Sequence, residues 1–362
     1  MKRVVVIGAG PAGSAAAMSL ALSHRTEVLL LDRAAFPRRK VCGSGLSPWA
    51  LELLDRMGIG SAVRKEAYPI RAGIIGSSRG PTVELRSRYH AAVLLRARLD
   101  TILAHEAARR GAQLREGVRV LGLAHANGRL EAVRTDRGDI EADAAVVCNG
   151  ANTTLARHIR PGRTLHAIMG WYEGVEGIGD AVELYFDEAI RPYYGWVFPE
   201  GPRRVNIGIC YAPGGANARE RFRAFLDDRL AKRMRRASQL GPLVGHPIAI
   251  TSRPTALVQP GTLVAGEAGQ LVDPATAEGI HHALASGWLA GRFLGKILEQ
   301  GDRPTRERLV SYTGLVRRQL GRRLRTGELF LHMARTPVLD LALRFGGMRP
   351  VQALLTWLLA GR

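Results

Sequence analysis

Val4-Val5-Val6-Ile7-Gly8-Ala9-Gly10-Pro11-Ala12-Gly13 stands almost at the start of the chain. The β-branched run predicts a strand buried on both faces, the glycines a tight turn, and the Ala-rich stretch to about Leu22 a helix. Glu27 to Leu31 predicts a second buried strand, and Asp32 closes the βαβ unit 19 residues beyond Gly13. Each position has a mechanical reason. Gly8 makes the turn, Gly10 lets a pyrophosphate approach the backbone at the helix N-terminus, Gly13 permits close packing, and Asp32 can accept ribose hydroxyls. Strand, GxGxxG, helix and a following acid together read as a dinucleotide site, and NAD and FAD both use this unit.

Working outward, Ala34 to Ser47 is a long loop rich in Arg, Pro and Gly, a kind more often functional than idle. Short strands of a different sheet are expected at Ile70 to Ile75 and Val83 to Arg86, then a helix from about Arg96 to Arg110, and strands at Val118 to Ala124, Leu130 to Thr135 and Ala144 to Val147. Leu165 to Val175, Ala181 to Phe186, Tyr193 to Phe198 and Val205 to Cys210 read as antiparallel strands, and Arg219 to Arg236 as a basic helix. Leu263 to Ala265 returns to a buried strand, leading to a helix from about Gly279 to Leu298.

The fold class expected is therefore α/β. A discontinuous Rossmann-type dinucleotide-binding domain spans 1–65, 88–163 and 250–300, and an inserted antiparallel β-sheet substrate domain spans 66–87 and 164–249. Residues 301–362 form a C-terminal helical segment, with Arg317, Arg318, Arg322, Arg323 and Arg325 crowded on one helix.

Across 362 residues, 52 Lys+Arg stand against 32 Asp+Glu, a net charge of +20, yet lysine occurs only at Lys2, Lys40, Lys65, Lys232 and Lys296. So strong an arginine excess reads first as compositional bias with solvated basic faces, and second as attraction to an anionic membrane surface or a phosphorylated substrate. No nucleic-acid partner is expected, since no zinc-ligand spacing or RNA-recognition signature accompanies the charge. Cys42, Cys148 and Cys210 make no CxxC pair, so neither a disulfide framework nor a metal site is expected. The scattered thiols and the lack of a signal-type leader suggest a cytoplasmic protein, with at most a peripheral position at the inner face of the membrane; no run approaches the ~20 apolar residues of a span.

The glycine turn with Arg33, the loop Arg39-Lys40-Val41-Cys42-Gly43-Ser44-Gly45-Leu46, the segment Tyr194-Gly195-Trp196-Val197-Phe198-Pro199, and Gly266-Glu267-Ala268-Gly269 leading to Asp273-Pro274 and Glu278-Gly279-Ile280 resemble the geranylgeranyl reductase family. That family belongs to the FAD proteins shaped like aromatic hydroxylases, and the resemblance covers about residues 1 to 300. It implies FAD as cofactor, with NADPH or a reduced electron carrier as electron donor. Gly8, Gly10, Ala12 and Gly13 would meet the pyrophosphate, Asp32 and Arg33 the adenosine end, and Cys42, Gly43 and Gly45 the flavin. Arg96 would neutralise phosphates and Val120 border the adenine. Gly266 and Glu267 would meet the ribityl and phosphate region, and Gly279 and Ile280 present helix N-terminal amides to the pyrimidine edge. Two positions depart from related flavoproteins: Asn149-Gly150 stands where Asp-Gly is usual, and Glu267 where Asp is usual.

Tyr194, Trp196 and Phe198 alternate onto one strand face, which the resemblance turns toward flavin and substrate, an aromatic wall suited to a hydrophobic small-molecule substrate. Cys42, Tyr194 and Trp196 are the candidate catalytic residues, the thiol with Arg39 or Lys40 beside it in sequence. Cys42 reads first as a small residue packed against the flavin, since no histidine lies near it in sequence to activate a thiol, and His281 and His282 first as capping or packing groups. The activity implied is reduction of carbon–carbon double bonds in an isoprenoid lipid. The alternatives are a monooxygenase or halogenase acting on a small aromatic or polyketide-type compound, and a flavin-binding protein that docks by its basic C-terminal helices without turnover. A halogenase is disfavoured because the Trp-x-Trp-x-Ile-Pro pattern is absent at residues 194–199.

Overall fold

The glycine turn sits at the centre of a six-stranded sheet in a computed structural model. The structure describes residues 1–360 except 79, 157, 160, 161 and 216, and leaves aside the side chains of 87–89, 354 and 357–360. Val4, Val5 and Val6 are buried without remainder because strands pair with Lys2–Ile7 on both sides: Thr26–Leu31 in register Lys2↔Thr26, and Ala144–Val147 in register Val4↔Ala144, both parallel. Thr262–Val264 and Gln113–Arg115 extend the parallel set, and Val258–Gln259 closes one edge antiparallel. A strand buried on both faces needs no polar alternation, which is why the sequence there is a continuous apolar run.

Helix Pro11–Leu20 lies against this sheet and against the long helix Ile280–Glu299. The two helices meet backbone to backbone, since a Cβ on Gly287 would fall 2.0 Å from the Ala12 carbonyl oxygen and one on Gly291 would fall 2.4 Å from that of Ala16. Small residues on both sides bring the head of the second helix up to the glycine turn.

The larger sheet has nine strands in the order Ser238–Gln239, Arg163–Glu173, Arg204–Tyr211, Gly195–Pro199, Ala181–Phe186, Tyr68–Ser77, Val83–Val93 and Gly45–Leu46, with Val244–Ile250 also paired to Arg163–Glu173. The sheet expected to be antiparallel contains one parallel pair, Ala181–Phe186 with Tyr68–Ser77. These segments are far apart in sequence, so no hairpin dictates their direction. The strand Val83–Val93 runs well beyond Arg86 because its far end pairs with Gly45–Leu46 and so ties the loop of residues 34–47 to this sheet.

Two further elements differ from expectation. Val120–Ala126 and Arg129–Thr135 form, with Gly138–Glu141, a separate three-stranded meander whose first turn places Asn127 and Gly128 at positive φ. The basic segment 219–236 is a helix only over Ala218–Phe225, capped by Asn217 and Glu220, and then widens into a π turn over Leu226–Leu230. Phe225 and Leu230 are both buried, and a five-residue step is what an i→i+5 turn superimposes. The C-terminal helices are Ser311–Ala334, Val338–Arg344 and Arg349–Ala360. No helix among the described residues is long and apolar enough to cross a membrane.

Candidate functional site

Between the two sheets runs a cavity of about 850 Å³. Gly8, Gly10, Ala12, Asp32, Arg33, Arg96 and Val120 line it, as do Cys42, Gly43, Gly45, Glu267, Gly279 and Ile280, and so do Tyr194, Trp196 and Phe198. Gly13 and Gly266 do not; they are packing positions. A Cβ on Gly13 would lie 1.7 Å from the Gly8 oxygen, and Gly266, at φ +63°, sits against Ala12 while its N–H donates to the Ser286 hydroxyl at 2.9 Å.

The dinucleotide end is a chain of charges. Asp32 accepts the N–H groups of Ala9 and Ala34, both at 3.0 Å, and faces Arg38 at 3.2 Å. Arg38 also reaches Asp100 at 3.1 Å, and Asp100, fully buried, holds Arg96 in a bidentate pair at 2.7 and 2.8 Å. Burial alone would lower the Arg96 pKa, but the Asp100 carboxylate and the Cys42 thiol it contacts outweigh that and raise it. Arg39, beside Cys42 in sequence, turns away and lies over the Trp171 ring at 5.9 Å, while Cys42 Sγ accepts the Ser44 N–H at 3.3 Å. Gly10 looks onto both guanidinium groups, its missing Cβ 3.5 Å from Arg38 and 3.7 Å from Arg96, which leaves bare backbone opposite two cations. A pyrophosphate suits that arrangement.

Beside it Lys40 donates to Nε2 of His246 at 2.8 Å, and that nitrogen lies 3.9 Å from Glu267. Burial, then Lys40 and Arg96, push the His246 pKa down to about 4. Burial raises Glu267, against the pull of Lys40 and Arg96, and burial also lowers Lys40. Arg38 and His246 were not marked by the sequence reading. Arg38 belongs to the loop of residues 34–47 singled out as functional, whereas nothing local distinguishes His246.

The other end is apolar and is built by register. Met169 opposes Gly208, Gly208 opposes Trp196, Trp196 opposes Leu184, and Leu184 opposes Ile75, so one row of side chains crosses five strands. Four of its members, Met169, Trp196, Leu184 and Ile75, line the cavity. Gly208 is what admits the indole, since a Cβ there would meet the Trp196 ring at 2.3 Å. Trp196 Nε1 donates to the Asn206 side chain at 2.7 Å, and the ring lies 6.3 Å from Tyr194 and 6.2 Å from Phe198. Cys210, in the same alternation as Asn206 and Gly208, also lines the cavity, and burial raises its pKa to about 12. The Tyr194 hydroxyl donates to the Thr276 carbonyl, and burial holds its pKa well above the usual phenol value. Gly43 and Gly45 let the loop touch Phe198, with Cβ distances of only 3.2 and 3.1 Å.

At the head of helix Ile280–Glu299 lies a buried polar cluster. His282 Nδ1 donates to the Glu278 carbonyl at 3.1 Å, and Glu278 pairs with Arg323 from the C-terminal helix at 2.5 Å. Burial drives His281 down to about 3, with His282 and Arg323 adding to it against the pull of Glu278, and drives His282 to about 4, with Arg323 adding against Glu278. Glu278, His281 and His282 bring one ligand-type atom each within 4.8 Å of one another. The guanidinium of Arg323 already takes the place of a cation at Glu278.

A family model described as FAD binding domain matches residues 1–313. The chain belongs to that family. Its relatives include a menaquinone reductase of Mycolicibacterium smegmatis, 33% identical over 324 residues that cover 80% of this chain and 76% of the relative. A digeranylgeranylglycerophospholipid reductase of Methanoculleus marisnigri is 28% identical over 329 residues, covering 85% and 80%. Among solved structures, a geranylgeranyl bacteriochlorophyll reductase-like protein of Thermoplasma acidophilum superposes with a TM-score of 0.86 at 21% identity, covering 98% of this chain and 96% of that one. A flavin-dependent brominase superposes at 0.83 and 18% identity, covering 99% and 93%, so the fold is common to reductases and halogenases. The resemblance read from the motifs therefore stands, and the protein is an FAD-dependent oxidoreductase of the α/β fold class expected. The residues fit FAD: bare glycine backbone faces two guanidinium groups, and a strand-end carboxylate stands at the expected adenosine end.

Proposed function

We propose that this FAD-binding protein reduces carbon–carbon double bonds in the prenyl chain of an isoprenoid lipid. The observation that carries this reading is the apolar row from Met169 through Trp196 to Ile75, which continues the dinucleotide cavity into an arm walled by apolar side chains. Relatives named for menaquinone and digeranylgeranylglycerophospholipid, both polyprenyl-bearing molecules, support it.

Bound and reduced, FAD would supply a hydride, a proton carrying two electrons, to one alkene carbon while a second proton reaches the other. The chain's part is to hold, orient and dry the reacting double bond. Tyr194, Trp196 and Phe198 would flank it, and their π faces favour positive charge developing on an alkene carbon. Tyr194 stays protonated and is tied to Thr276, so we assign it to the wall. Cys42 stands at the junction of the two ends, within electrostatic reach of Lys40 and Arg96 on one side and of Tyr194 and Cys210 on the other. We place it as the residue next to the reacting atoms. Asp32, Arg33, Arg96, Val120, Glu267, Gly279 and Ile280 would hold the cofactor.

The test is anaerobic. The protein is reduced with dithionite, a prenyl lipid is added, and flavin reoxidation is followed together with product mass. Reoxidation with a gain of two hydrogens supports the reading; reoxidation only on admitting air, with oxygen in the product, overturns it in favour of a monooxygenase.

A further inference from the structure

The short helix Val338–Arg344 is apolar on two opposite faces. Leu339 and Leu343, each 1% exposed, pack inward with Ile75, Val83 and Leu85, the residues beneath the apolar end of the cavity. The contact is tight, since a Cβ on Gly346 would fall 2.3 Å from Val83, and Asp340 pairs inward with Arg191. The outer face carries Val338, Leu341, Phe345 and Met348, exposed by 47, 54, 52 and 53%. Val338, Leu341 and Phe345, spaced by three and four residues, form one stripe of the helix and its cap, and Met348 stands in the turn that follows. A packed inner face holds this outer stripe rigidly in place.

Charge decides what covers it. Arg335, Arg344 and Arg349 flank the stripe and are exposed. From Leu329 to Arg362 the sequence contains one acid, Asp340, and it points inward to Arg191. An apolar stripe edged by arginines and free of outward acids matches the headgroup and acyl boundary of an anionic bilayer. A second copy of this chain matches poorly, because a twofold contact would set these arginines against their own equivalents in a protein of net charge +20. The surface also adjoins the cavity: Ile75 and Leu85 belong to both the cavity lining and the cluster under the stripe, and Thr356 of the last helix lines the cavity.

We propose that residues 338–349 dock onto an anionic lipid bilayer, Val338, Leu341, Phe345 and Met348 entering the acyl boundary and Arg335, Arg344 and Arg349 meeting the headgroups, so that the apolar end of the cavity lies at the membrane. This surface does not depend on which bond the cavity reduces.

The experiment is flotation of the full-length, FAD-loaded protein with vesicles of phosphatidylcholine alone or mixed with phosphatidylglycerol. The wild type is expected to float with the mixed vesicles and weakly with phosphatidylcholine. L341E/F345E is expected to lower partitioning by about tenfold or more, and R344E/R349E to abolish the preference for phosphatidylglycerol. Flavin content and Tm establish that each variant is folded, with L341S/F345S as the milder form of the first. All variants should still reduce a detergent-dispersed substrate, which separates failure of the docking surface from failure of the proposed activity. Failure of the wild type to float, or flotation of L341E/F345E and L341S/F345S equal to that of the wild type, overturns the proposal. So does a wild-type dimer in analytical ultracentrifugation that these substitutions dissociate without any vesicle binding.

Discussion

Lys40 Nζ lies 2.8 Å from Nε2 of His246, a hydrogen bond across the cavity between the loop of residues 34–47 and strand Val244–Ile250. The ammonium donates and the ring accepts, which fixes the imidazole as neutral. Because burial, Lys40 and Arg96 together hold His246 near a pKa of about 4, removing one cation relaxes it. K40M is expected to raise the His246 pKa toward its ordinary range, read from the ring-proton NMR titration of the FAD-free protein. An unchanged titration would show that the ammonium does not act on the ring.

Two glycines of the same turn should behave differently. A Cβ on Gly13 would sit 1.7 Å from the Gly8 oxygen, whereas one on Gly10, at φ −79°, would meet side-chain atoms of Arg38, Arg96 and Asp100 at 3.5 Å and beyond. G13A is therefore expected to cost about 3 kcal/mol or more of stability, and G10A to leave the FAD-free Tm unchanged while weakening FAD binding about tenfold or more. Thermal unfolding and fluorescence titration with FAD check both. Equal destabilisation by the two would refute the assignment of Gly10 to the cofactor and Gly13 to packing.

The residues that were legible in the sequence are those whose neighbours are local. The turn from Gly8 to Gly13 and the strands around it announce themselves because β-branched runs, glycine spacing and Asp32 all lie within one βαβ unit. The alternation of Tyr194, Trp196 and Phe198 likewise puts one face on the cavity. What stayed hidden depends on register between distant strands. Asn206 becomes the partner of Trp196, and Gly208 its berth, only when Arg204–Tyr211 pairs with Gly195–Pro199. His246 joins the site from a segment with no local mark, and Arg323 from a run of arginines whose local reading is a solvated basic face. The Asn127-Gly128 hairpin, by contrast, was announced by its turn residues and passed over in the sequence reading.

The pair Trp196 and Asn206 offers a test of that register. Asn206 is fully buried, and W196F would strand its side-chain oxygen. An orphaned buried acceptor costs about 1–3 kcal/mol, beyond the packing lost. In W196F/N206L no acceptor is left behind, so the double variant should lose less than the sum of the single variants by about 1–3 kcal/mol. Denaturant unfolding measures the cycle, and additivity within about 0.5 kcal/mol would mean that the two side chains do not meet.

His282 predicts how stability responds to acid. It is fully buried with a pKa pushed down to about 4, against 6.5 when unfolded, so the unfolded chain binds its proton first. Its contribution is complete above pH 6.5 and is lost as pH falls toward 4. By pH 5 the loss amounts to about 2 kcal/mol for this one ring. The carboxylate of Glu278, lowered chiefly by Arg323 against the effect of burial, loses its own contribution only below about pH 4.5, outside that window. H282N keeps a donor near the Glu278 carbonyl and has nothing to titrate. Between pH 7 and pH 5 the wild type should therefore lose about 2 kcal/mol more than H282N in denaturant unfolding. An equal loss in both would place the acid-sensitive groups elsewhere in the fold.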